Sequence, residues 1–177
     1  MPHHETGDSS VLTALFKHNV WANLKLLDFC EGLSDEQLDP SAIGGFGTIR
    51  DTLQHIVGAE VSYVNRVNDR MPAQTLKRDE PPSFALMKEA VRWAGDELVQ
   101  LATSATSDSQ VRQRPPRREV EYPLAGLMVQ VINHATEHRA QIAAIITQLG
   151  MEPPDMSGWS YMEESGEIKE LGAGTTA

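Results

Sequence analysis

Apolar residues recur at three- and four-residue spacing through four long stretches of this chain, and that periodicity restricts it to helices packed on one another. The first stretch runs from about Ser9 to Leu33, with Leu12, Leu15, Phe16, Leu26, Leu27, Cys30 and Leu33 on one face. Asn19 and Asn23 interrupt that face and read as buried amides that need partners from other helices. The second begins at Thr48, a natural N-cap, and reaches about Asp69. Ile49, Leu53, Ile56, Val57, Val64 and Val67 form one side of it, while Asp51, His55, Gly58, Ala59, Ser62 and Arg66 form the other. Glu60 falls on the apolar side, where a carboxylate has no evident place. The third, capped by Ser83, carries Phe84, Met87, Val91, Ala94, Leu98 and Leu101. The fourth runs from about Pro123 to Leu149, with proline in its first turn and Gly150 as its C-cap.

Four such helices predict an all-α fold, a four-helix bundle. The segment Met71 to Pro82 is broken by prolines. Twelve extended residues reach roughly 40 Å, and the helices beside the segment are about 30 Å long. A crossover along the bundle is therefore permitted, though not required. Thr103 to Tyr122 is polar and proline-broken, and REVEYPL within it has the character of a short strand. The expected organisation is a flexible N-terminus over 1–8, one bundle over 9–164 and a flexible tail over 165–177.

Of the 177 residues, 25 are acidic and 15 basic, a net charge of −10. The largest basic cluster is RPPRR at 114–118, so nucleic acid and anionic membrane are not expected as partners. No stretch approaches the ~18 apolar residues of a membrane span. The opening MPHHETGDSS has neither the basic start nor the apolar core of a signal peptide. A single cysteine, Cys30, suits a reducing compartment. It lies on an apolar stripe and reads as core rather than nucleophile. The expected location is cytoplasmic.

The fourth stretch contains VINHATEHRAQIAAII, which places His134 and His138 four residues apart, inside the stripe of Leu124, Leu127, Val131, Ile142, Ile145 and Leu149. A buried imidazole needs partners for its nitrogens. One divalent ion shared at i and i+4 would serve both rings; two separately hydrogen-bonded histidines would also satisfy the pattern. His55, beside the small residues Gly58, Ala59 and Ser62, is the best third ligand. Those small residues either let helices approach closely or leave a cavity. His3 and His4 lie in the expected tail, and His18 reads as a surface residue. The sequence His134-Ala-Thr-Glu137-His138 also matches H-x-x-E-H, in which the glutamate is the base of a zinc peptidase. That pattern needs a further acidic ligand from a later helix, and the chain after His138 is short and proline-broken.

Three segments together resemble the DinB/YfiT-like family of damage-inducible four-helix proteins, over residues 10 to about 164. They are HNVWANLKLL, IRDTLQHIVGAEVSYVNRV and INHATEHRAQIAAIITQLGMEPPDMSGWSYMEE. The resemblance implies a crossover bundle, commonly a homodimer, of bacterial type. It also implies that His55, His134 and His138 bind one divalent metal, zinc or nickel. Arg139 and Gln141 match its H-R-x-Q pattern. Gln141 and Glu137 are candidates to support the ligands from behind, and Arg139 is expected in an inter-helix ion pair. Glu137, Asp51 and Glu60 are the carboxylates available as a fourth ligand, and none faces the histidines squarely on a helical wheel. An ion held by three imidazoles acidifies a bound water or deprotonates a bound thiol. Some relatives resemble transferases in which a low-molecular-weight thiol attacks a small electrophile. The resemblance thus implies a thiol-dependent S-transferase acting on a small molecule. The alternatives are a hydrolase using an activated water, a metal-binding stress protein without turnover, and a structural metal.

Overall fold

The computed structural model describes residues 11–68, 82–113 and 118–171. Within them lie the helices α1 (Val11–Glu31), α2 (Asp35–Leu38), α3 (Ile49–Val67) and α4 (Phe84–Ser104), the strands β1 (Gln110–Gln113) and β2 (Val120–Pro123), and the helices α5 (Leu124–Gln148) and α6 (Gly158–Glu164). The expected flexible N-terminus, most of the segment 71–82 and residues 114–117 of the basic cluster lie outside the described residues, as does the end of the tail.

The four long helices form the bundle, in the order α1, α4, α3, α5 around its axis. Phe16, Leu26, Ile49, Val64, Val91, Leu98, Val131 and Ile142 meet in its core, all buried. Helix starts are set locally. Thr48 N–H donates to Asp51 Oδ2 at 3.2 Å, and Asp51 N–H donates back to Thr48 Oγ1 at 3.0 Å, so both exposed donors at the start of α3 are satisfied. Ser83 Oγ accepts from Leu86 N–H at 3.2 Å at the start of α4. Gly150, at φ 78°, ends α5 as expected.

Contacts at the two ends fix the chain direction. Lys88, near the start of α4, donates to Glu31 at the end of α1 at 2.8 Å. Just beyond, Arg50 at the start of α3 binds Asp35 at 2.6 Å, and Gln37 reaches Met151, past the end of α5, at 3.5 Å. At the opposite end Thr13 of α1 meets Thr103 of α4 at 3.5 Å. α3 therefore finishes at the end of the bundle opposite to the start of α4. The two run parallel, and Asn68 after α3 binds Glu97 in the second half of α4 at 2.8 Å. This is the crossover arrangement; its connecting residues 69–81 are not described.

Several expectations need correction. The strand in REVEYPL is β2, and its antiparallel partner β1 was not anticipated; Val111 pairs with Tyr122 and turns inward. Pro123 closes β2 and caps α5 instead of sitting in its first turn. Leu15 and Leu149 are 44% and 38% exposed, so both fall off the stripes assigned to them. His18 is half-buried. Its Nε2 lies 2.9 Å from the Met156 carbonyl oxygen, and its ring packs against Trp21 and Tyr161. With Trp21 and Lys25 bonded to Glu164, this contact straps α6 onto α1.

The amides of α1 and the misplaced Glu60 explain one another. Asn19 and Asn23 donate to Glu60 Oε1 at 2.7 and 2.8 Å. Their carbonyl oxygens each accept from Arg139 Nη1 at 2.7 Å. All four residues are buried. The ion pair expected of Arg139 thus exists in an indirect form, with two amides between the charges. Burial pushes the Glu60 carboxyl up, against its amide donors, and draws the Arg139 guanidinium down to about 10.

Candidate metal centre

α3 and α5 run antiparallel in contact, and that pairing positions the histidines. His55 lies near the start of α3, opposite the middle of α5, where His134 and His138 occupy successive turns of one face. Nε2 of His134 is 2.9 Å from Nε2 of His55. The rings of His134 and His138 are 4.5 Å apart, and each is 4.8 Å from that of His55, centroid to centroid. One nitrogen from each ring lies within 4.8 Å of the other two.

His138 Nδ1 is 2.8 Å from Gln141 Oε1, one helical turn on. A carbonyl oxygen only accepts, so Nδ1 carries the proton and Nε2 of His138 keeps its lone pair. Gln141 thus acts on His138, not on His134, its nearer neighbour on the helical wheel. His134 lies well below the usual histidine range, at about 4, because it is desolvated and because His138 and His55 sit beside it. It is neutral at physiological pH, as a ligand must be. Its Nδ1 is buried and has no hydrogen-bond partner among the described residues.

The arrangement fits a divalent ion. A four-coordinate ion with metal–nitrogen bonds of about 2.0–2.1 Å sets imidazole nitrogens roughly 3.3 Å apart. The observed separations, 2.9 Å between His55 and His134 and within 4.8 Å for the set, bracket that spacing. Among the described residues no carboxylate or thiol joins the cluster. Asp51 is engaged in the cap of α3, and Glu60 in the Asn19–Asn23–Arg139 network. Glu137 is exposed and makes no hydrogen bond to a histidine of the cluster among the described residues. Cys30 is fully buried in the core, and burial pushes its thiol up to about 12. A methyl group at Gly58 would meet nothing within 4 Å, so the small-residue face of α3 leaves open space there.

One neighbour was not anticipated. Phe46, in the loop before α3, stacks on His55 with centroids 3.7 Å apart and planes 16° apart, and stands edge-on to His138 at 5.4 Å. The loop has no periodicity to single it out. On the other flank Tyr63 meets His134 edge-on at 6.1 Å, and its hydroxyl lies 3.4 Å from Gln130 Nε2.

The model of the DinB family matches residues 1–170. The chain belongs to the DinB family. A crystal structure of a DinB-like protein from Bacillus cereus superimposes with a TM-score of 0.58 at 22% identity, over 78% of this chain and 91% of that one. At that identity the likeness speaks for the fold. No curated protein matches the chain. Family membership and the three-histidine cluster together fit a metal-binding DinB-like protein, and no described helix is long and apolar enough to cross a membrane.

Proposed function

We propose that the protein is a cytoplasmic, divalent-metal-dependent enzyme of the thiol-dependent S-transferase type, acting on small electrophiles. One observation carries the reading: three imidazoles converge, and among the described residues no further histidine, cysteine, aspartate or glutamate joins the set. A structural metal site is normally closed by four protein ligands, whereas a catalytic one keeps a position for substrate. Zinc or nickel held there would stabilise the thiolate form of a low-molecular-weight thiol at neutral pH.

The chain's own residues then have distinct tasks. His55, His134 and His138 supply neutral donors, and Gln141 holds His138 in the tautomer that presents Nε2. In the reaction the thiol loses its proton to solvent and its sulfur bonds to an electrophilic carbon. The leaving group departs with the electron pair of the bond that breaks. The family resemblance also favours a homodimer, and sedimentation of the purified protein tests that part separately.

The decisive experiment is elemental analysis of purified protein, followed by a screen of bacterial thiols against halonitroarenes and monohalobimanes. About one equivalent of metal and a thiol-dependent, chelator-sensitive conjugation are expected. Full metal occupancy with ester or amide hydrolysis and no conjugation would favour the hydrolase instead. Four protein ligands by X-ray absorption would reduce the metal to a structural staple.

A further inference from the structure

The loop between α2 and α3 is built to hold a particular shape. Its ends are joined by a β-bridge between Ser41 and Thr48, and Ile49 N–H donates to the Pro40 carbonyl oxygen at 3.3 Å. Inside, Gly45 N–H closes a turn on Ala42, and Gly44 takes φ 83°, a left-handed conformation that side chains rarely adopt. Gly47 faces Asp51 so closely that a methyl group there would lie 3.0 Å from the carboxylate. This backbone presents two large apolar side chains, Ile43 and Phe46. Ile43 is fully exposed at the tip, and Phe46 lies flat on His55 yet remains 51% exposed.

Phe46 keeps half of its surface in water and does not belong to the bundle core, so core formation does not account for its position. The ring touches two of the three imidazoles and so borders the space where their nitrogens converge. We propose that Phe46 is the specificity-determining residue of the three-histidine site, selecting ligands with a flat aromatic group next to the donor atom over aliphatic ones. The proposal rests on the reading that the histidines hold an ion with one exchangeable position. It adds the class of molecule that position receives.

Aromatic pairs contribute enough beyond area burial to change affinity by roughly two- to ten-fold. The test uses cobalt-loaded protein and two thiols, phenylmethanethiol and ethanethiol, with affinities read from the cobalt absorption spectrum and their ratio compared between wild type and variants, so that the difference in thiol acidity cancels. The wild type is expected to prefer phenylmethanethiol. Phe46→Ala and Phe46→Leu should lose that preference by roughly two- to ten-fold, with ethanethiol affinity unchanged, and Phe46→Tyr should restore it. Cobalt affinity, measured by competition with a chromophoric chelator, should be the same in all four proteins. An unchanged preference in Phe46→Ala would overturn the proposal. So would a parallel fall in cobalt and thiol affinity, which would make Phe46 a support for His55 only. If neither thiol nor azide alters the wild-type spectrum, the exchangeable position itself is absent and the proposal falls with it.

Discussion

Nε2 of His134 lies 2.9 Å from Nε2 of His55, although 79 residues of chain separate them. Two like ring nitrogens meeting inside a bundle share either a proton or an ion. If an ion, replacing His55, His134 or His138 by alanine should each remove most of the roughly one equivalent of bound metal, since three-ligand sites depend on every donor. His18→Ala should leave the metal in place. Inductively coupled plasma analysis of the four variants checks this, and full occupancy in His55→Ala would disprove the constellation.

Arg139 should be among the most costly side chains to remove. It faces Glu60 across the amides of Asn19 and Asn23, with all four buried. Arg139→Ala leaves a buried carboxylate without its counter-charge, a change that costs about 3–5 kcal/mol. Urea denaturation would measure it. A loss below about 1 kcal/mol would mean that Glu60 is already protonated and carries no charge for Arg139 to balance.

Metal-free protein should lose stability on acidification through a window set by His134. Its folded value near 4 lies below the ordinary 6.5. The unfolded chain therefore takes up this proton first, and protonation favours unfolding. The stabilisation is complete above pH 6.5 and is lost as pH falls toward 4. His134→Gln, which cannot titrate, should show a flatter dependence of stability on pH than the wild type across that window. Thermal melts in matched buffers give the comparison.

Gly95 marks a close approach of α4 to Val20 of α1. A methyl group there would stand 2.3 Å from Val20 Cγ2 and 3.1 Å from Cγ1. Gly95→Ala should destabilise by about 1–3 kcal/mol through overpacking, outweighing the gain of about 1 kcal/mol in helix propensity. Adding Val20→Ala should recover part of the loss, and thermal melts of the single and double variants would show it.

Duplex DNA should not bind. The net charge of −10 offers no cationic face, and a salt-dependent micromolar shift in a gel assay would contradict this.

Periodicity made the four long helices readable before any coordinates, because each buries one broad apolar stripe. It also brought His55, His134 and His138 forward as a set through the family's pattern. What escaped it depends on which element lies opposite which. A helical wheel shows that Asn19, Asn23 and Glu60 point inward, but not that α1 and α3 point them at one another. The same limit left open which histidine Gln141 supports; it lies beside His138. The short helix α2 did leave a local signal. Ser34 followed three residues later by Gln37 is a capping pattern, and Ser34 N–H does donate to Gln37 Oε1 at 2.9 Å. Phe46 left none, since its role comes from the loop's shape.

The crossover has a consequence in time. His55 waits on α3 while the chain traverses the bundle, builds α4 and the hairpin, and only then delivers His134 and His138 on α5. During synthesis the nascent chain therefore carries His55 without its two partners through nearly half its length, and weak single-site binding gives an ion no reason to stay. An ion that needs all three histidines would be taken up only once α5 has docked. Loading would then be a completion signal, and a cobalt spectrum followed through refolding would time the last helix to join the bundle.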